Sequence, residues 1–186
     1  MRMTCIALAL TLAACGAGDK QTTVPDGDPV VEPAPETSDP AAPADPNIGD
    51  WKPNEDEKKV YDRLKVKTPE PRCPGDVEVG VTDAVGALRG VITHVTAPPW
   101  VSMRAATCLL QAHAKEGEAD ALKWVADPEQ AGLTTLVLGR LDSMPLEIAK
   151  RIAQASLEGP HKDLAKTRIS RLRTKELKAL AAAAPE

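Results

Sequence analysis

In PWVSMRAATCLLQAH, residues 99–113, the apolar positions Val101, Ala105, Cys108, Leu109 and Ala112 recur at helical spacing behind the pair Pro98-Pro99. Proline is tolerated in the first turn of a helix, where its missing N–H would have no partner anyway, so the pair ends one helix and opens the next. Gly117 supplies the expected stop. The same signature returns in PEQAGLTTLVLGRL (128–141) and PHKDLAKTRISRL (160–172). Pro99, Pro128 and Pro160 each open a predicted helix, Asp127-Pro128 as N-cap and first-turn proline, and Leu109, Val137 and Ile169 follow at equivalent core positions. The offsets are 29 and 32 residues (128 − 99 and 160 − 128), inside the roughly 20–50-residue range of helical repeats. A short helix with Ala119, Leu122 and Val125 separates the first two stretches. A helix opened by Pro145, with Ile148, Ile152 and Ala155 and an end near Gly159, separates the second two. Each unit therefore reads as helix–turn–helix, which cannot bury both its faces without neighbours.

Outward from these units the pattern stays helical. Asn54 with Glu57 three residues on has the form of a capping box, ahead of the apolar stripe Val60, Tyr61 and Leu64. After the breaker-rich TPEPRCPGD, residues Val81, Val85, Leu88, Ile92 and Val95 predict a helix over 81–96. Val77-Glu78-Val79 alternates as a short strand would. Thr174 caps a last helix carrying Leu177, Leu180 and Ala181. With three Trp, one Tyr and no Phe, the core has to be built by aliphatic and alanine packing between helices. The expected fold class is all-α over residues 54–186, either a short α–α superhelix or an irregular helical bundle.

The alternation over 98–173 resembles HEAT or armadillo-type repeats. MRAATCLL (103–110) and LTTLVLGRL (133–141) are similar to the small-and-leucine pattern of a HEAT first helix, and ADPEQA (126–131) to the turn between units. Gly132 departs from the pattern, standing where the first unit has Arg104. The resemblance implies stacked helical hairpins and a role in protein–protein contact.

At the start of the chain, Arg2 precedes an apolar run from Cys5 to Leu12, too short to span a bilayer. Leu12-Ala13-Ala14-Cys15 followed by Gly16 resembles the bacterial lipobox. That resemblance implies removal of residues 1–14, a lipidated Cys15 and anchorage to the membrane. Gly16 and Ala17, in place of Asp, resemble the pattern sorted to the outer membrane, with the periplasmic and surface sides left open. Several acyl chains hold a protein stably where one would not.

Residues 15–53 then read as a linker. From Asp19 to Pro53 prolines come every few residues, acids are frequent, and only Lys20 and Lys52 are basic. Such a segment cannot bury enough apolar surface to offset its ordering entropy. Roughly 35 residues in the polyproline conformation reach on the order of 100 Å, against about 30–35 Å for a flexible coil. The linker's acids also account for the formal charge of −4, leaving the folded part mildly basic.

If Cys15 carries lipid and Cys5 leaves with the signal, Cys73 and Cys108 remain, and two cysteines allow one pairing. Either they form a disulfide, or Cys108 is a small buried apolar residue and Cys73 is free.

A survey for catalysis finds no constellation. His94, His113 and His161 show no HExxH or paired spacing, and no CxxC occurs, so no metal is implied. Cys108 and His113 fall about 140° apart on a helix. His113 and Glu116 stand at pairing distance along a helix, although an exposed histidine near a helix end explains that as well. GVTDAVGALRG lacks the ending of a phosphate loop and no GxSxG elbow is present. No catalytic residue and no cofactor are expected.

The last third is basic. Arg168, Arg171, Lys175 and Lys178 form one stripe if a helix runs through Thr174, flanked by Lys162, Lys166 and Arg173. This is either a patch for an anionic partner or a solvated helix face, and an envelope location makes nucleic acid an unsuitable partner. The sequence thus favours a lipid-anchored, non-enzymatic helical-repeat module that binds an envelope protein. The alternative is a small-molecule or glycan-binding protein, or an enzyme, that uses the helical groove as a pocket.

Overall fold

The computed structural model describes residues 49–184, so Cys15, its flanking stretch and most of the acidic linker lie outside the described residues. Those described form an all-α fold of eight α-helices and one 3₁₀ turn, with no strand among them. The helices are α1 (Glu55–Leu64), α2 (Ala84–His94), α3 (Pro99–Ala112), α4 (Glu118–Ala126), α5 (Ala131–Arg140), α6 (Leu146–Glu158), α7 (Lys162–Ile169) and α8 (Lys175–Ala183). The 3₁₀ turn Leu141–Ser143 lies between α5 and α6.

Local chemistry sets the helix starts. The capping box at α1 is present: Glu57 N–H donates to Asn54 Oδ1 at 2.9 Å and Asn54 N–H to Glu57 Oε2 at 2.8 Å. Asp83 caps α2 by accepting from Gly86 N–H at 2.8 Å. Asp56, on α1, in turn accepts from the N–H groups of Thr82 and Asp83 at 3.0 and 2.9 Å, so the first helix grips the entry to the second. Those bonds, the one from Asp83 foremost, hold the Asp56 carboxyl below its ordinary range.

Three expectations shift. Val77 to Val79 lies in turns, not a strand, because Asp76 and Glu78 donate their N–H groups back to the carbonyls of Arg72 and Pro74. Gly117 starts α4 instead of ending α3, which stops at the His113 cap. Pro99 opens α3, but Pro128 and Pro160 stand in turns ahead of α5 and α7. At Pro128 the cause is visible. Asp127 accepts from Glu129 N–H at 2.9 Å through its side chain and from Gln130 N–H at 3.1 Å through its carbonyl, closing a turn before the helix can begin.

The packing is that of an irregular helical bundle whose principal contacts join helices one or two apart in the chain. Helices α1 and α2 pack on each other and on α3. Beyond them α3 meets α5, α4 meets α6, α5 meets α7 and α6 meets α8, with α4–α5, α6–α7 and α7–α8 contacts between. Leu109, Val137 and Ile169 are fully buried, as their equivalent spacing requires, together with Leu88, Leu138, Ile152 and Leu177. Trp51, inside the linker by composition, packs against this core and stacks on His94 with ring centroids 5.6 Å apart.

Close approach of α4 and α6 depends on Gly159, the C-cap of α6. A Cβ there would stand 2.9 Å from the Val125 carbonyl oxygen and 3.1 Å from that of Ala155, both backbone atoms. Gly159→Ala should therefore lower the unfolding free energy by about 1–3 kcal/mol. Gly139 on α5 has open space where its Cβ would be. Gly139→Ala should raise stability by about 0.5–1 kcal/mol, and urea denaturation of the two variants checks the contrast.

Candidate functional site

The seven cations between residues 162 and 178 sit on α7, α8 and the turn joining them, but not as one helical stripe. Helix α7 ends at Ile169 with Ser170 as its cap, and α8 starts anew after Thr174. What breaks the helix is Asp142 of the 3₁₀ turn. Its carboxylate accepts from Arg173 N–H at 2.7 Å, Thr174 N–H at 3.1 Å and the Thr174 hydroxyl at 2.8 Å. These bonds fix the two residues that lead into α8, and the acceptor comes from 32 residues away in the chain.

The break folds α8 back beside α7 and brings three of the seven cations together. Lys166, Arg171 and Lys178 line a cleft of about 420 Å³ with Thr167, Ser170, Ala181 and Ala182. Lys166 Nζ donates to the Ala184 carbonyl at 3.3 Å, across the cleft. Lys162, Arg168, Arg173 and Lys175 do not line it and are exposed around it, Arg168 in the last turn of α7 where the helix dipole favours a cation. None of the seven forms an ion pair with a described residue. Asp163 and Glu176 are the only acids among residues 160–184. The arrangement offers three convergent donors to an anionic group and a wider positive rim.

Asp142 therefore positions the cleft without lining it. Partial desolvation works against its charge, but the bonds from Arg173 and Thr174 outweigh it and hold its carboxyl below the ordinary range. A depressed folded-state pKa stabilises the fold above the unfolded value of about 4, and that contribution is lost as pH falls through the folded one. Asp142→Ala should cost about 1 kcal/mol at neutral pH through the hydrogen bonds it removes. The gap between wild type and variant should close in acid, and urea melts across pH 3–7 would show it.

The histidines are all engaged structurally. His94 stacks on Trp51, His161 Nε2 lies 3.3 Å from the Asp127 carbonyl, and His113 Nε2 lies 3.0 Å from Glu78, not paired with Glu116. Among the described residues no three metal-ligating side chains gather, and no helix is long and apolar enough to cross a membrane.

At the other end of the domain Cys73 is bonded to Cys108, their Cα atoms 5.2 Å apart, well inside the range a disulfide spans. The bridge pins the long 65–83 connection to α3. Side chains that local sequence patterns do not reveal complete the fastening. Arg104 Nη1 donates to the carbonyls of Leu64 and Val66 at 2.9 and 2.7 Å, Arg63 Nη1 to that of Val77 at 2.8 Å, and Glu78 meets His113.

Comparison with family models, with curated proteins and with solved structures finds no match to this chain.

Proposed function

We propose that this chain is a lipid-anchored protein of the bacterial cell envelope, held to the membrane, most naturally the outer one, through Cys15. Its helical domain is a short repeat-type array that acts as a non-enzymatic interaction module for an acidic protein partner.

The convergence of Lys166, Arg171 and Lys178 on one cleft carries the interaction reading, because no acid of the described chain neutralises them. Packing that runs between near neighbours in the chain, with Leu109, Val137 and Ile169 at matching core positions, supports the repeat-type array. The Leu12–Gly16 stretch supports the anchor. The Cys73–Cys108 bridge supports a location outside the reducing cytoplasm, where disulfides persist. The acidic linker supports a domain standing clear of the bilayer to meet its partner.

Reversing Arg171 and Lys178 to Glu tests the role of the cleft. Proteins recovered with the wild-type chain from detergent-solubilised envelopes should fall away about tenfold or more with the double variant, and raised salt should release them from the wild type. Undiminished recovery with the double variant would contradict the assignment.

A further inference from the structure

A second basic concavity lies far along the chain from the α7–α8 cleft. Arg104, Thr107 and Gln111 of α3, Arg140 of α5 and the 70–73 segment that ends in the bridged Cys73 line a cavity of about 400 Å³. That volume falls within the range of small-molecule pockets.

The positions on α3 are a pattern. Arg104, Thr107 and Gln111 fall at i, i+3 and i+7, one stripe at 100° per residue. They run beside the face that Val101, Ala105, Cys108 and Leu109 bury completely. Arg104 and Thr107 are half-buried along the cavity wall, and Gln111 is exposed at its edge.

The charges do not cancel. Arg72 is held by Asp76, and Arg104 meets Glu70 at 3.4 Å while its Nη1 serves two backbone carbonyls. Arg140 is half-buried, and its guanidinium has no hydrogen bond or ion pair with a described residue. Three arginines thus line the cavity, Arg72 paired with Asp76 and Arg104 with Glu70, which leaves Arg140 without an acid among the described residues. A partly desolvated guanidinium with five unused donors calls for an acceptor, and a planar fork best matches a carboxylate or phosphate.

We propose that this cavity binds a small oxyanion-bearing molecule, its carboxylate or phosphate held by Arg140 and Arg104, with the Gln111 amide at the mouth. The cavity is separate from the α7–α8 cleft, so this site and the docking role stand or fall independently.

The test is an NMR titration of the full chain in detergent micelles with citrate, with inorganic pyrophosphate and with uncharged erythritol. Saturable shifts at the Arg140 and Arg104 Nε–H groups and at Thr107 and Gln111 are expected for citrate or pyrophosphate and not for erythritol. Which anion saturates at lower concentration tells carboxylate from phosphate recognition. Arg140→Gln removes no hydrogen bond or ion pair within the described chain, so its backbone spectrum should stay native while the affinity falls about tenfold or more. Arg140→Lys should fall between the two, since it keeps the charge and loses the fork. Arg171→Glu with Lys178→Glu should leave the titration unchanged. Absence of saturable shifts with both anions, or equal affinity in natively folded Arg140→Gln, would overturn the site.

Discussion

Reducing the Cys73–Cys108 bridge, or replacing both cysteines by alanine, should lower the stability of the domain by about 3.5–4 kcal/mol. The bonded residues are 35 apart in sequence, and constraining a loop of that length in the unfolded chain accounts for a loss of that size. The native state adds a reason. Without the bridge the 65–83 connection retains the burial of Val77 and side-chain fastenings such as Arg104 to Val66 and Arg63 to Val77. For a domain of this size the loss corresponds to about 10–15 °C in melting temperature. Cys108 is completely buried and Cys73 only partly so. A thiol reductant therefore has to attack Cys73 Sγ first, and reduction should be slow in the folded protein and fast once urea loosens it. Thermal unfolding with and without reductant, and of the double alanine variant, checks the magnitude. Coincident melting curves would show that the bridge does not hold the fold.

Cys15→Ala should have the largest effect of any single substitution, moving the protein out of the membrane fraction. Among the described residues no helix is long and apolar enough to cross a membrane, and a basic cleft attracts anionic surfaces only weakly and under strong screening by salt. On the proposed anchoring Cys15 accepts several acyl chains, and the number matters because one chain binds only marginally. Fractionation of cells expressing wild type and Cys15→Ala checks the outcome. Among the described residues the core is built from Trp51 onward, so thermal unfolding of the variant tells loss of the anchor from loss of the fold. Retention of the variant in the membrane after a high-salt wash would contradict anchorage by lipid.

What could be read from sequence was what local chemistry dictates. Asn54 and Glu57 sit close enough to specify the α1 box, and a proline pair before periodic apolar residues suffices for α3. The apolar period placed Leu109, Val137 and Ile169 in the core. With Cys5 and Cys15 set aside, counting left Cys73 and Cys108 as the only pair open to bridging, without deciding between bridge and free thiols. The departures arise where a distant residue overrides the local signal. Nothing near Thr174 announces that Asp142 will seize its N–H and hydroxyl, so the basic stripe that spacing alone draws through Thr174 becomes two helices around a cleft. His113 likewise sits at pairing distance from Glu116 along the chain, yet Glu78, held in turns by the bridged loop, reaches it instead. Arg140 was legible only as a base ending a helix. Its place beside Arg104 depends on α3 packing against α5, a tertiary contact no window of sequence contains.

The anchor is the claim on which location and display both depend, and the mass of the N-terminal peptide from membrane-extracted protein tests it most directly. The account predicts a first residue of Cys15, residues 1–14 absent, the thiol carrying a diacylglyceryl group and the amino group acylated. An N-terminus at any other residue, or a Cys15 peptide of unmodified mass with a free thiol, would contradict it.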